Sequence, residues 1–234
     1  MKSHTDDKPK CLNEFLGTPL IKWQLDAFEQ ASIKHVAIVT GYKSHLLLDY
    51  SENCFHNPRW ETSQMYFSLT HAASWLNSYN CIISYSDIFY TSNIIEKLSN
   101  DKSSASIAYD KNWYKLWKLR FDDIFEDAET FKLNKDNFLL EIGNKTKILN
   151  DIDGQFMGLI KFTPEAWIRI NSYISSLPNQ ISEKIQMTQL INKCINDSVV
   201  QFKAIGYKDT WGEIDNTRDL ELYERIYSNF SISS

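Results

Sequence analysis

The segment CIISYSD, residues 81–87, decides the fold class. Its first five residues form a short apolar run with two adjacent β-branched isoleucines, which predicts a buried strand over residues 81–85. The polar residues Ser86 and Asp87 end this strand. Because open α/β sheets bind their ligands at the carboxyl ends of parallel strands, Asp87 is a candidate site residue. A helix-capping role for Asp87 is about equally compatible with the sequence.

The segments around this strand alternate between helix and strand. Residues 18–32 and 63–78 carry apolar side chains at helical spacing. HVAIVT at residues 35–40 gives a second buried-strand signal, which Gly41 closes. Later helices are predicted at 164–175, 187–195 and 217–226, and a late strand at 199–204. This alternation predicts an α/β fold with three layers, helix–sheet–helix, around a mostly parallel sheet.

The middle of the chain departs from this alternation. Between residues 130 and 162 the hydrophobic period changes towards that of strands, with turn residues between the strand-like runs. We therefore predict a single domain over residues 1–234, with a β-rich insertion or edge extension at about 110–155.

The composition excludes several classes of protein. Of 234 residues, 43% are hydrophobic and 24% are charged, which excludes collagen, coiled coil and long disorder. The formal net charge of −5 makes nucleic acid an unexpected partner. No apolar run reaches the ~18 residues of a membrane helix, and the polar start MKSHTDDKPK is not typical of a signal peptide. The four cysteines lack CxxC spacing, so we expect reduced thiols, a cytoplasmic location and no membrane partner.

Two further segments carry side chains suited to phosphate and metal. DKPKCL at residues 7–12 places Lys10 just before a predicted helix, where its charge and the helix amino end can meet a polyphosphate. A solvated basic loop is the commoner use of such a segment. In WGEIDNT at 211–217, Glu213 and Asp215 are two residues apart, so on an extended segment both face one side and can share a cation. Capping of the last helix is the alternative, and spacing alone cannot pair Asp215 with Asp87.

Taken in order, these segments resemble nucleotidyltransferases of the sugar-phosphate and phosphocholine cytidylyltransferase type, including MobA-like NTP transferases, over essentially the whole chain. KPKCL followed by GTPL is similar to the Lys-containing loop and first helix of that family. HVAIVTGYK resembles its second strand, NPRW with SQMYFSL its next helix, and YSDIFY its strand-end acid. GQFMGLIKFTPEAW resembles a later strand and helix, and WGEIDNTRDLELYE the carboxyl-terminal acid and helix. DAETFKL and LLEIG look closest to the phosphocholine and aminoalkylphosphonate branch.

The resemblance implies a Rossmann-like fold of the nucleotide-diphospho-sugar transferase type and a Mg²⁺-dependent reaction. An acceptor phosphate or phosphonate would attack the α-phosphorus of a nucleoside triphosphate, with CTP favoured, and pyrophosphate would leave. Lys10 would hold the triphosphate, and Asp87 and Asp215 would hold Mg²⁺, with Glu213 as a further ligand. Gln64, where relatives often carry Asn, would contact the base or sugar. Phosphocholine, an aminoalkylphosphonate or a sugar phosphate would be the acceptor, and a homodimer is an open option.

One departure from the family pattern shapes these expectations. The family normally opens with an apolar strand and a G-x-G-x-R loop, and residues 3–8 of this chain fit the sequence that follows that loop. We therefore expect the first strand of the sheet to be missing, which leaves its two neighbours with unpaired backbone groups. A late recorded start, a decaying gene copy and a non-catalytic role are competing explanations. The last of these gives the alternative function, a truncated relative that binds a nucleotide or a partner without turnover.

Three other groups of residues leave alternatives open. Aromatic side chains ahead of the strand-like region that begins near residue 130 could face a choline-like acceptor, although core packing is their commoner use. Two acids in DAETFKL could pair with an acceptor amine, and a DxD motif keeps a glycosyltransferase as a weaker option. These groups are, in turn, Tyr109, Trp113, Tyr114 and Trp117; Asp127 and Glu129; and Asp151 with Asp153.

Overall fold

The computed structural model describes residues 7–228, except for the side chains of residues 179 and 180. The strands in this part of the chain are β1 (Glu14–Phe15), β2 (Thr18–Pro19), β3 (Ile38–Thr40), β4 (Cys54–His56), β5 (Cys81–Ser84), β6 (Ile88–Tyr90), β7 (Ala105–Asp110), β8 (Glu129–Leu133), β9 (Leu139–Lys145), β10 (Gln155–Phe162), β11 (Lys203–Tyr207) and β12 (Trp211–Glu213). The α-helices are α1 (Leu20–Gln30), α2 (Met65–Thr70), α3 (Ala73–Leu76), α4 (Ser92–Asn100), α5 (Trp113–Arg120), α6 (Pro164–Ser175), α7 (Asn179–Lys184), α8 (Met187–Asn196) and α9 (Thr217–Ile226). Short 3-10 turns occur at Lys10–Leu12, Ser44–Tyr50, Ile124–Glu126 and Leu149–Asp151.

The central sheet has the strand order β11-β7-β10-β5. β7 pairs with β11 in parallel, whereas β10 is antiparallel to both β7 and β5. Three of these four strands therefore point one way and β10 points the other, so the sheet is mixed. An antiparallel strand needs no helical crossover, and between β9 and β10 the described chain holds only the short turn Leu149–Asp151.

Helices cover both faces of this sheet. On one face, Ile107 of β7 and Ile160 of β10 pack in a cluster with buried side chains of α6 and α8. On the other face, Ala108 and Leu159 pack in a second cluster with α1, α4 and α5. Successive strand residues point to opposite faces, so each strand contributes to both clusters. The helix–sheet–helix architecture predicted from the sequence is confirmed.

Smaller units complete the molecule. β3 pairs with β4 in parallel, β6 pairs with β12 in antiparallel fashion, and β8 and β9 form a hairpin in the region predicted as an insertion. Within residues 7–228, β5 is the edge of its sheet and β3 pairs on one side only. None of the helices in these residues is both long and apolar enough to cross a membrane. All four cysteines are free thiols.

The prediction of one continuous helix over residues 63–78 is wrong, because this region forms two separate helices, α2 and α3. The Thr70 hydroxyl donates to the carbonyl of Phe67 at 2.6 Å, and the His71 N–H bonds to Ser68 O instead. Polar side chains that bond to nearby backbone carbonyls compete with the helical ladder. The helix predicted from residue 18 also begins later, because Thr18 pairs with Phe15 in the β1–β2 hairpin.

Candidate active site

The pairing of β6 with β12 brings two acidic segments together from distant parts of the chain. Glu213 pairs with Ile88, the residue after Asp87. The Ile214 N–H then donates to the backbone carbonyl of Asp87 at 2.8 Å. These backbone contacts place Asp87 beside the Glu213–Asp215 segment.

Three carboxylates converge at this junction. Asp87, Glu213 and Asp215 each offer an oxygen within 4.8 Å of the others, a spacing that could hold one metal ion. Lys10 reaches the same point, with Nζ 3.2 Å from Asp87 Oδ2 and 3.2 Å from Asp215 Oδ1. Four of the five residues singled out in the sequence therefore meet in one place. The Lys10 side chain remains 39% exposed, so its ammonium group is accessible to a ligand.

A buried arginine contacts the acidic cluster from the interior of the protein. Arg120, at the carboxyl end of α5, has a side chain only 1% exposed. Its Nε lies 3.0 Å from Asp219 Oδ1, and its two Nη atoms lie 3.5 Å from Glu213 and 3.4 Å from Asp215. Asp219 in turn accepts the Asp215 N–H at 3.1 Å. This network fixes the Asp215 backbone and partly neutralises the acids.

Sequence reasoning missed Arg120, although a signal for it is present. Trp113, Leu116, Trp117 and Arg120 follow one another at helical spacing, which puts them on one face of α5. The first three are apolar and buried. An arginine on such a face needs a buried acidic partner, so the pattern could have indicated an ion pair without naming its partner.

Gln24 is a second residue that sequence reasoning missed. Its Nε2 donates to the backbone carbonyls of Tyr85, at 2.8 Å, and Ile88, at 2.6 Å. Gln24 is buried on α1, so these bonds tie that helix to the turn that carries Asp87. No local sequence pattern identifies its partners.

The electrostatics of the cluster favour a bound cation. Burial and then the negative charges of Asp215 and Asp87 raise the pKa of Glu213 well above its ordinary value, against a smaller opposing effect of Arg120. Burial alone would lower the pKa of Lys10, but Asp87 and Asp215 outweigh it and the pKa is raised. With all four acids ionised, as metal binding would require, the charges of Asp87, Glu213, Asp215 and Asp219 would exceed those of Lys10 and Arg120 by two. A divalent cation would balance this excess, and carboxylate oxygens are the ligands that Mg²⁺ prefers.

Comparisons with known proteins identify the family of this chain. Residues 2–118 match the model of the MobA-like NTP transferase domain. The chain belongs to the MobA-like NTP transferase family. It is 30% identical to the CTP:phosphoglutamine cytidylyltransferase of Campylobacter jejuni, over 93% of this chain and 92% of that relative. The chain is thus an enzyme of the nucleotidyltransferase type.

Solved structures support the same fold. The inositol-1-phosphate CTP transferase from T. maritima matches with a TM-score of 0.69 at 18% identity, over 99% of this chain and 92% of that one. A protein from Bacillus anthracis described as a glucose-1-phosphate thymidylyltransferase matches with a TM-score of 0.77 at 14% identity, over 100% and 92%. These likenesses establish the Rossmann-like fold of the family member.

Gln64 lies outside the acidic cluster. It precedes α2, and its N–H donates to the Glu183 carbonyl at 2.9 Å. Its side chain lines a cavity of about 1500 Å³ that Lys10 also lines. A role for Gln64 in contacting the base or sugar stays a prediction.

The other residues considered from the sequence have mainly structural contacts. Tyr109, Trp113 and Trp117 are buried in the core, which leaves Tyr114 as the more exposed ring of the four. In the DxD motif, Asp151 Oδ1 lies 2.7 Å from Lys132 Nζ, and Asp153 accepts the Leu133 N–H at 2.8 Å. Both acids brace β8, which gives no support to a glycosyltransferase site there. Burial raises the pKa of Asp127 and of Glu129, so these acids differ from ordinary exposed carboxylates.

Proposed function

We propose that this protein is a Mg²⁺-dependent cytidylyltransferase that transfers CMP from CTP to a small phosphate or phosphonate acceptor. The observation that carries the proposal is the convergence of Asp87, Glu213 and Asp215 around the Lys10 ammonium group. The identity to the CTP:phosphoglutamine cytidylyltransferase supports CTP as the donor. An acceptor oxygen forms a bond to the α-phosphorus of CTP, the bond from that phosphorus to the bridging oxygen breaks, and pyrophosphate leaves.

The residues of the site have separate roles in this proposal. Asp87 and Asp215 would hold Mg²⁺, with Glu213 as a further ligand, and the ion would supply charge neutralisation for the triphosphate. Lys10 supplies a second positive charge for the triphosphate. Arg120 and Gln24 are positioning residues: Arg120 pairs with Glu213 and Asp215, and Gln24 bonds to the backbone carbonyls on either side of Asp87. Catalysis of this kind is mainly orientation and electrostatic stabilisation.

The acceptor is a small molecule with a phosphoryl or phosphonyl group. Phosphoglutamine is the acceptor in the name of the Campylobacter relative, so it is tested beside phosphocholine, 2-aminoethylphosphonate and a sugar phosphate. Asp127 and Glu129 would favour an acceptor with an amino or amide group, because partly buried acids gain from pairing with a hydrogen-bond donor.

The decisive experiment measures pyrophosphate release from CTP and Mg²⁺ with each acceptor in turn. Asp87→Asn should lower kcat by about 10²–10³ because it removes a charge that acts at the reacting phosphates. Asp136→Asn, in an exposed turn, is the matched control and should keep the unmodified rate. The proposal is overturned if no nucleotide and acceptor pair releases pyrophosphate. CTP binding in calorimetry together with background turnover would instead support the non-catalytic alternative.

A further inference from the structure

Two cations contact the acidic cluster, and they differ in how firmly the protein holds them. The Arg120 side chain is 1% exposed and pairs with the buried carboxylate of Asp219 at 3.0 Å. The Lys10 side chain is 39% exposed, and among the described residues its ion-pair partners are Asp87 and Asp215. Removal of Arg120 would leave a buried acid unpaired, whereas the Lys10 ammonium group can move towards solvent. Lys10 is therefore the exchangeable cation of the cluster.

The two cations also contact different oxygens of Asp215. Its Oδ2 lies 3.4 Å from Arg120, whereas its Oδ1 lies 3.2 Å from Lys10 Nζ. Lys10 Nζ lies at the same distance, 3.2 Å, from Asp87 Oδ2. The ammonium group thus occupies one oxygen on each of the two acids that would hold Mg²⁺. A metal ion that binds through these oxygens has to displace the ammonium group, and one that binds through the other oxygens stays beside it.

The two positive charges would lie close together. Mg²⁺ binds oxygen at about 2.0–2.1 Å, so an ion on either contacted oxygen lies at most about 5.3 Å from Lys10 Nζ. Salt screens charges over about 10 Å at 0.1 M ionic strength, so it relieves little of the repulsion at this distance. Even with the dielectric constant of water, this repulsion lowers the affinity for a divalent ion about tenfold.

A triphosphate reverses this balance. Its oxygens carry negative charge that attracts both an ammonium group and a divalent ion, and Mg²⁺ commonly takes part of its coordination from substrate phosphates. The Lys10 ammonium group can then exchange two carboxylate oxygens for phosphate oxygens. The exposure of its side chain permits this movement without rearrangement of the core.

We infer that Lys10 is a built-in competitor of the metal ion, which occupies Asp87 and Asp215 until a triphosphate draws it away, so that metal and nucleotide bind cooperatively. The inference rests on the proposed function, because it takes these two acids as metal ligands. It gives the Lys10 charge two opposite effects: it weakens binding of the metal alone and strengthens binding of the metal with its nucleotide. A lysine that served the triphosphate alone would leave the affinity for the metal unchanged.

The test measures Mn²⁺ binding to the nucleotide-free protein by electron paramagnetic resonance of the unbound ion. Mn²⁺ prefers the same oxygen ligands as Mg²⁺. Lys10→Met should bind Mn²⁺ about tenfold more tightly than the unmodified protein, because it removes the opposing charge. Lys10→Gln should do the same while keeping a polar end in the turn at Lys10–Leu12. Lys10→Arg keeps the charge and should keep the original affinity.

The matched control is Lys193→Met, which removes the same charge from a similar setting. Lys193 is 40% exposed and pairs with Asp197 at 3.5 Å, but neither residue belongs to the acidic cluster. Its Mn²⁺ affinity should equal that of the unmodified protein. Calorimetric titration with CTP in the presence of Mg²⁺ completes the test. Lys10→Met should bind CTP at least tenfold more weakly, so one substitution changes the two affinities in opposite directions.

The outcomes separate this inference from the proposed function. Unchanged or weaker Mn²⁺ binding by both Lys10→Met and Lys10→Gln overturns the inference, and the proposed function survives that result if the unmodified protein releases pyrophosphate. Failure of every protein to bind Mn²⁺ overturns the inference together with the metal site. Mn²⁺ binding that is detectable in Lys10→Met and Lys10→Gln but too weak to measure in the unmodified protein supports it.

Discussion

Replacing Arg120 with methionine should destabilise the protein severely, because the substitution leaves the buried carboxylate of Asp219 without its cationic partner. Methionine is shorter than arginine but close to it in volume, so it would still pack against Trp117 and Phe121, whose ring centres lie 5.3 and 5.1 Å from the guanidinium carbon. The change therefore removes charge and hydrogen bonds with little loss of volume. Asp219, whose side chain is 4% exposed, would lose both of its bonds to Arg120, at 3.0 and 3.3 Å.

The magnitude follows from the burial of this pair. Removing one partner of a buried ion pair costs about 3–5 kcal/mol, since the remaining charge is left without compensation. Against a total stability of about 5–15 kcal/mol, this is a large fraction. With a urea slope of about 2–3 kcal/mol/M for a chain of this size, the unfolding midpoint should fall by about 1–2 M.

The assay is equilibrium urea unfolding of Arg120→Met beside Arg218→Met. Arg218 pairs with Asp122 at 3.2 Å, but both side chains are largely exposed, so its loss should change stability by less than about 1 kcal/mol. A double variant that adds Asp219→Asn should regain part of the loss, because no unpaired charge is then buried at that position and the amide oxygen can still accept the Asp215 N–H. Equal effects of the two single variants would refute the assigned role of Arg120.

Three other predictions follow from the same site. Gly158→Ala should lower the melting temperature more than Gly17→Ala does. Both glycines have positive φ, at +77° and +74°, so both substitutions strain the backbone. An added Cβ at Gly158 would also lie 3.0 Å from the Tyr85 side chain, whereas a Cβ at Gly17 would face open space. Equal losses would show that backbone strain alone acts at both positions. Gln24→Leu should lower stability by about 1–3 kcal/mol and slow pyrophosphate release, because the carbonyls of Tyr85 and Ile88 lose their buried donor; an unchanged rate would remove Gln24 as a positioning residue. Chelation with EDTA should abolish pyrophosphate release and added Mg²⁺ should restore it, whereas activity that survives chelation would contradict the proposed metal site.

Much of the fold is readable from local sequence patterns. The apolar run predicted as a buried strand at residues 81–85 appears as β5, which is half-buried, and the strand-like region between residues 130 and 162 contains most of β8 and all of β9 and β10. Such predictions succeed because burial of a strand or a helix face imposes a period on neighbouring residues. The break between α2 and α3 was not predicted, since it depends on where the Thr70 hydroxyl finds an acceptor.

Neither the direction of β10 nor the side-chain partners of Arg120 and Gln24 could be predicted from the sequence. Strand direction depends on which neighbour a strand meets, and side-chain partners depend on packing between elements far apart in the chain. The resemblance to a family supplied the roles of Asp87 and Asp215, but their closeness depends on the pairing of β6 with β12.

The sequence by itself determined the alternation of helices and strands, the acidic residues that follow strands, and the family to which they point. These features are local, because periodicity and residue type act within a few neighbouring positions. Only the tertiary structure decided that Lys10, Asp87, Glu213 and Asp215 meet, and that Arg120 lies against them. Those facts arise from contacts between distant segments, where packing and backbone pairing select one arrangement from many that the same local pattern allows.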